Sequence, residues 1–427
     1  MLDLRWIRAH PEEARRRLAS RGAVEPLDEV LRLDEEQRAR LAEVEALRAQ
    51  RNQASLAIRQ QRQQGAPTAE ARERARAIAA ALAAAEPPLR AVEHALTQAL
   101  QAIPNIPHPE VPVGHDETAN RVVETHGAPT RPEWVRPHWE VGRELGILDL
   151  PGGSRLAAAR FPLLIGAGAA LQRALTQLML ALAEEDGFTE VAPPLLANAD
   201  ALTGSGHLPK FAADLFRTQE GLALIPTAEV PLVNLHRGEM LAGASLPRRY
   251  VAATPCFRGE AGAPGRETHG LIRLHQFEKV ERVSFTGPEE STAELARLTQ
   301  AAARVLQRLA IPHRVVELCT GELGFAAART FDVEAWFPAL GRYLEVSSCS
   351  DCGDFQARRL NTRFRDEQGR PRFVHTLNAS GLAVGRTLAA VLENCQREDG
   401  TVVVPEALRD YCRLTVLGER RREHGDG

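Results

Sequence analysis

A pair of helical seams in the first hundred or so residues restricts the fold most. Leu33, Gln37, Leu41, Val44, Leu47, Arg51, Ala54 and Ile58 recur at spacings of three and four, and Ile78, Leu82, Ala85, Leu89, Val92, Leu96, Ala99 and Ile103 do the same. That period places its members on one stripe of an α-helix, and the stripe is stable only against a partner. Between the seams lies Gln64-Gly65-Ala66-Pro67-Thr68, a helix stop followed by a restart. The pattern predicts two helices of about 30 residues, roughly 45 Å each at 1.5 Å per residue, folded back as an antiparallel hairpin. On periodicity alone, a dimerisation coiled coil or part of a helical bundle is the plainer reading. Pro87 and Pro88 fall inside the second helix, where each removes a backbone donor, so an interruption or kink is expected there.

The chain then changes character. Pro104, Pro107, Pro109 and Pro112 mark an extended linker. Beyond it a helix is expected from Ala169 to Glu185, strands from Arg249 to Cys256, Leu271 to Arg282 and Arg372 to Leu377, and a further helix from about Ser380 to Gln396. Strands joined without regular crossover helices indicate an α+β fold with an antiparallel sheet and flanking helices. The expected organisation is a hairpin over 1–108, a linker over 109–130 and an α+β unit over 131–427.

Composition excludes few functions. A formal net charge of −3 leaves room for a local basic patch on an acidic surface. Lys210 and Lys279 are the only lysines, so a lysine retained in this arginine-rich chain points to a specific task. The start of the chain lacks an apolar signal segment, so the six cysteines are expected as thiols in a reducing cytoplasm. The run Phe161 to Leu171 is shorter than the roughly 20 residues of a membrane span, and no membrane role is expected. There is no Gly-x-x-x-x-Gly-Lys-Ser/Thr phosphate loop. Gly166-Ala167-Gly168 and Gly204-Ser205-Gly206 read as turns, and the isolated pair Cys349 and Cys352 as structural or incidental thiols, so no zinc is expected.

The informative segment runs from Thr254 to Glu281. Thr254-Pro255-Cys256-Phe257-Arg258-Gly259-Glu260 leads through a loop, Gly265-Arg266-Glu267-Thr268-His269-Gly270, to Leu271-Ile272-Arg273-Leu274-His275-Gln276-Phe277-Glu278-Lys279-Val280-Glu281. As a strand, the second half would put Arg273, His275, Phe277, Lys279 and Glu281 on one face, with Ile272, Leu274 and Val280 on the other. A solvated hairpin explains the charges but not the lone Phe277 among them.

This segment resembles motif 2 of the class II aminoacyl-tRNA synthetases in its seryl form. Three other stretches are similar to the same family: Thr227-Ala228-Glu229-Val230-Pro231-Leu232, Glu345-Val346-Ser347-Ser348-Cys349-Ser350, and the motif 3 run His375-Thr376-Leu377-Asn378-Ala379-Ser380-Gly381-Leu382-Ala383-Val384-Gly385-Arg386. The helix ending at Gly187-Phe188 looks like motif 1, which in this family builds a homodimer interface, and Gly206-His207-Leu208-Pro209-Lys210-Phe211 matches a further signature. Gly259, Ala379 and His269 depart from the family's usual Ser, Gly and Arg.

The resemblance implies an enzyme that activates L-serine with ATP and Mg²⁺ and transfers it to the 3′ end of tRNA(Ser), and of tRNA(Sec) where one is present. It implies a tRNA-binding hairpin and a class II catalytic domain. It assigns catalysis to Arg258 and Arg386, and serine binding to Thr227, Ala228, Glu229, Arg258, Glu281, Asn378 and Ser380. It assigns ATP binding to Arg258, Gly259, Glu260, Arg273, Leu274, Phe277, Glu345, Val346, Ser347, Ser348 and Arg386, and Mg²⁺ to Glu345 and Ser348. The alternative is an accessory paralogue that adenylates serine for a carrier or binds RNA without general charging. The helical arm speaks against a carrier ligase, because carrier-loading members of the family lack it.

Overall fold

A computed structural model of the chain describes residues 1–22, 27–261 and 269–418. It divides into two compact units, one of residues 2–16 and 24–103 and the other of residues 1, 17–23 and 104–427.

The first unit is built on the expected hairpin. Its helices, Leu27–Gln63 and Ala69–Ala102, have 37 and 34 residues, longer than the periodicity indicated. Val44 packs with Leu82 and Leu89, flanked by Leu41, Leu47 and Ala85. Arg48 pairs with Glu86 across the two helices at 3.1 Å. The second helix runs through Pro87 and Pro88 without the expected interruption. A proline in a helix interior costs about 3 kcal/mol or more, because it lacks an N–H and crowds the preceding turn. Here Leu82, Leu89 and Val92, all buried, bracket the two prolines, and this tertiary packing offsets the loss of local bonds.

The second unit is organised by an eight-stranded sheet. In chain order its strands are β1 (Arg121–His126), β2 (Thr189–Glu190), β3 (Arg248–Phe257), β4 (Gln276–Thr286), β5 (His313–Glu317), β6 (Arg329–Phe337), β7 (Arg342–Asp351) and β8 (His375–Ala383). Their spatial order is β1-β5-β6-β7-β8-β4-β3-β2. Every pairing is antiparallel except that of β2 with β3. The helices Ala167–Glu185, Ser291–Arg308 and Val384–Asn394 contribute to the main core, through residues such as Leu175, Leu298 and Leu388. A second core joins Val283 and Phe285 of β4 to Leu232, Leu360 and Phe364. The odd-numbered positions of β4 thus change along one face, from Phe277, Lys279 and Glu281 to the buried apolar pair Val283 and Phe285.

Several expectations are corrected. β4 begins at Gln276 rather than Leu271, because the backbone of 271–275 is engaged elsewhere. Leu271 N–H donates to His138 Nε2, the Ile272 carbonyl accepts from Arg386, and His275 N–H donates to the Arg160 carbonyl. The stretch expected as one strand over 372–377 is two, Pro371–Phe373 and the start of β8, and the following helix begins only at Val384. Within the segment expected as a linker, β1 hydrogen-bonds to β5 as an edge of the main sheet. The proline-rich stretch before it is also docked, since Asn105 donates its side-chain amide to the carbonyls of Ala326 and Cys352 at 2.9 and 2.8 Å. Of the expected glycine turns, Gly166 and Gly206 do have positive φ. Gly168 and Gly204 lie inside helices, where a Cβ would come within 2.4 Å of the Ile147 carbonyl oxygen or 2.2 Å of Leu360.

Candidate active site

A cleft of about 580 Å³ of free space, open to solvent, lies over β4, β7 and β8. Arg258 enters it just after β3 ends. Its Nε donates to the Pro226 carbonyl at 3.2 Å, and its guanidinium carbon sits 5.2 Å from the centre of the Phe277 ring. Gly259 N–H donates to the Asp214 carbonyl at 2.7 Å, and a Cβ at Gly259 would lie 3.2 Å from that oxygen. Little room therefore remains for the larger residue usual there. Glu260 follows with φ +52, a left-handed conformation that is uncommon outside glycine. It forms an ion pair with Arg273. Ile272 and Leu274, expected on the face opposite Arg273, line the cleft with it because 271–275 is not strand, while Leu274 also belongs to the main core and Ile272 packs against that core.

Arg386 stands near the start of the Val384–Asn394 helix. Its Nε donates to the Ile272 carbonyl at 2.9 Å, and its Nη1 to the Glu345 carbonyl at 2.8 Å and to Glu345 Oε2 at 3.1 Å. Burial pushes the Glu345 carboxyl up, but the charge and hydrogen bond of Arg386 outweigh it and hold the group below the usual carboxylate range. Ser348 on β7 lies directly opposite Asp332 on β6 and hydrogen-bonds to its carboxylate. Asp332 is raised well above the usual range by desolvation and then by the charge of Glu345. Among the described residues its Oδ1 has no hydrogen-bond partner and is buried. Two carboxylates and a hydroxyl form a hard-oxygen set of the kind that suits a divalent cation such as Mg²⁺. The sequence motifs did not select Asp332, and only the strand register brings it to Ser348.

Deeper carboxylates make up the other end of the site. Glu281 is buried on β4, with Lys279 Nζ 2.5 Å and Ser380 Oγ 3.4 Å from its Oε2. Ser380 pairs with Glu281 in the β8–β4 ladder, and the register shifts at the next residue, Gly381, where a Cβ would lie 3.0 Å from Val280. Glu229 accepts the Gln356 amide at 2.6 Å, and its own N–H donates to Thr227 Oγ1 at 3.1 Å. Desolvation, followed by the charge of Glu281, pushes Glu229 up to about 7. His207 is pushed down to about 3 by desolvation and the cations Arg258 and Lys279, so it is neutral at ordinary pH. Lys279 lines the cleft, yet the motif assignment had left it without a role. Its retention in an arginine-rich chain was the available signal.

Other assigned residues lie behind these surfaces. Ala228 is buried in the second core. Ser347 donates its hydroxyl to the Ser380 carbonyl, and Asn378 directs its amide to Cys352 Sγ at 3.8 Å. Val346 lines the cleft. Residues 262–268 of the expected loop between Glu260 and Leu271 fall outside the described residues. Cys349 and Cys352 are buried free thiols, and desolvation pushes Cys349 up to about 12 and Cys352 upward as well.

Residues 1–107 match the family model for the seryl-tRNA synthetase N-terminal domain, and residues 211–395 match that for the tRNA synthetase class II core domain (G, H, P, S and T). The chain is 48% identical to a serine–tRNA ligase of Caldicellulosiruptor bescii, over 98% of this chain and 100% of that protein. It is 50% identical to a serine–tRNA ligase of Carboxydothermus hydrogenoformans, over 96% and 98%. The crystal structure of seryl-tRNA synthetase from Pyrococcus horikoshii complexed with ATP superposes with a TM-score of 0.91 at 37% identity, covering 98% of this chain and 99% of that one.

Proposed function

The chain belongs to the seryl-tRNA synthetase family, and we propose that its cleft activates L-serine with ATP and passes the seryl group to tRNA(Ser). One observation carries this reading. Arg258, Arg386 and Phe277 share a single cleft with the carboxylate Glu281 and Ser380 nearby, in a chain similar over nearly its full length to serine–tRNA ligases.

In the first step a serine carboxylate oxygen attacks the α-phosphorus of ATP. The bond to the leaving oxygen breaks, and pyrophosphate departs with its electron pair. Two anions must approach and negative charge grows on the phosphate oxygens, so the chain's work is positioning and charge neutralisation. Arg258 offers a planar fork to the carboxylate and α-phosphate, and Arg386, exchanging its Glu345 bond for the nucleotide, meets the terminal phosphate. Phe277 supplies a face for adenine and Glu260 an acceptor for its amino group. Arg273, Leu274, Val346 and the backbone at Gly259 and Ser347 complete the nucleotide pocket. Glu345 and Ser348 would hold Mg²⁺, which supplies charge neutralisation on the phosphates when bound, and Asp332 fits beside them as a third oxygen donor.

Glu229 and Glu281 receive the serine ammonium, with Thr227 bracing the turn and Ala228 and Asn378 forming the wall behind it. Ser380 and Glu281 read the hydroxyl. A site built for a hydroxyl leaves buried polar groups unpaired when alanine enters, which gives discrimination of about 10⁴ or more. In the second step a ribose hydroxyl of the terminal tRNA adenosine attacks the seryl carbonyl carbon, AMP leaves, and the adenylate phosphate accepts the proton. The exposed Arg51, Arg59, Arg62, Arg72, Arg74 and Arg76, towards the turn of the hairpin, offer charge for RNA phosphates. The motif 1 helix and β2 supply the homodimer contact. A carrier-loading or RNA-only paralogue is not favoured, because the relatives match over the hairpin as well as the catalytic core.

The test is amino-acid-dependent ATP–pyrophosphate exchange with serine, threonine, alanine and glycine, followed by charging of tRNA(Ser). Exchange with serine alone and subsequent charging are expected. Absence of exchange in folded protein with Mg²⁺ would overturn the reading.

A further inference from the structure

The short helix His138–Glu144 opens with a histidine that is wholly buried and lies outside the cleft lining. His138 Nδ1 is 2.8 Å from Glu393 Oε1, and its Nε2 accepts the backbone N–H of Leu271 at 3.0 Å. These two bonds determine the tautomer. Nε2 must present its lone pair to Leu271, so the proton resides on Nδ1 and is donated to Glu393. Glu393, equally buried, also accepts the His138 N–H at 3.2 Å and, through Oε2, the Ala339 N–H at 3.1 Å.

Glu393 and Arg386 are carried by the same helix, Val384–Asn394, about two turns apart and therefore on one side of it. Arg386 Nε holds the Ile272 carbonyl at 2.9 Å, while Glu393 acts through His138 on the N–H of Leu271. One helix thus holds two adjacent residues of the irregular segment that lines the cleft. The sequence accommodates this arrangement at Gly270, whose φ is +69 and where a Cβ would lie 2.1 Å from His138 Nε2. A histidine that only filled core volume would need neither the acceptor bond nor a neighbouring glycine.

We propose that His138 is a positioning residue for the nucleotide: oriented by Glu393, it holds the peptide at Leu271 and thereby sets the Ile272–Leu274 wall against which ATP binds. The inference rests on the reading of this cleft as the ATP site. It separates the two ring nitrogens, which two substitutions can test singly. His138→Asn places an amide N–H where Nδ1 was and keeps the bond to Glu393, but offers Leu271 no acceptor. His138→Gln places an acceptor near the Nε2 position and keeps the bond to Leu271.

The experiment measures ATP·Mg affinity by calorimetry without serine, and KM for ATP and for serine in pyrophosphate exchange, with melting temperatures of each protein. H138N is expected to weaken ATP binding and raise its KM by about tenfold, with the serine KM within about twofold, while H138Q stays within about threefold of the parent. Should H138N not fold, Glu393→Gln, which weakens the ring's acceptor without changing its shape, is expected to raise the ATP Kd by about threefold. Equal losses of ATP affinity in H138N and H138Q would overturn the proposal, as would lowered melting temperatures with unchanged ATP affinity. A parent protein that binds ATP but exchanges with no amino acid would fail the functional reading alone, because calorimetry still separates the two variants. A parent that binds no ATP would overturn both.

Discussion

The two units build their interiors in opposite ways. In the hairpin, Val44 meets Leu82 and Leu89 because each lies on the stripe of its own helix, and one local period generates all three positions. In the α+β unit, decisive partners come from remote segments: His138 and Glu393 are separated by 255 positions, and Gln356 and Glu229 by 127. The lining of the cleft comes from within residues 258–386. The hairpin's exposed arginines suit an extended polyanion, whereas the sheet gathers buried and half-buried charges around a cleft. The proposed division of reach and chemistry between the units predicts that each can be disturbed alone.

The largest effect should come from Arg258→Ala. Losing the guanidinium that neutralises charge in the transition state is expected to lower kcat/KM for serine-dependent exchange by about 10³, or roughly 4 kcal/mol. Circular dichroism of the helices should be unchanged, since the substitution removes the side-chain bond to the Pro226 carbonyl and leaves the main-chain bonds of Arg258 with His275 in place. An exchange rate within tenfold of the parent would move the chemistry away from this residue.

A shortened arm should give the complementary result. Arg48 and Glu86 face each other across the hairpin, so residues 49–85 can be excised and the helices rejoined there by a short Gly-Ser turn. Charging of tRNA(Ser) is expected to fall by at least about 10², while exchange stays within about threefold, because phosphate contacts are lost but the cleft is not touched. Equal loss of both activities would break the division between the units.

The smallest effect concerns Glu229. Its carboxyl is raised to about 7 in the protein, so it takes up a proton as the pH falls through neutrality. Serine's ammonium needs the ionised form, and the serine KM should therefore rise by up to about tenfold from pH 8 to pH 6. The ATP KM should change less over the same range. Glu229→Gln should bind serine weakly at both pH values and lose most of this pH dependence. An unchanged serine KM across the range in the parent would remove Glu229 from ammonium binding.

Much of this molecule can be read from one chain. The seams at Leu41–Val44–Leu47 and Leu82–Ala85–Leu89 predicted two packed helices, since helical packing is periodic in sequence, while the stop and restart at Gly65 and Pro67 suggested that they fold back on each other. The face formed by Phe277, Lys279 and Glu281 followed from strand alternation, and β4 does carry those residues. The same rule did not extend back over 271–275. Ile272 and Leu274 line the cleft because Leu271, Ile272 and His275 spend their backbone groups on His138, Arg386 and Arg160. Helix propensity placed a break at Pro87 and Pro88, and packing by Leu82, Leu89 and Val92 overrode it.

The sequence by itself determined the two helical seams, the α+β class and the cast of charged and aromatic residues around Arg258 and Arg386, because periodicity and motif spacing are local properties. Tertiary structure alone decided that Asp332 faces Ser348 and that His138 joins Glu393 to Leu271. Those pairings depend on which strands and helices become neighbours, and the free energy of burying polar groups is settled only when their partners arrive together.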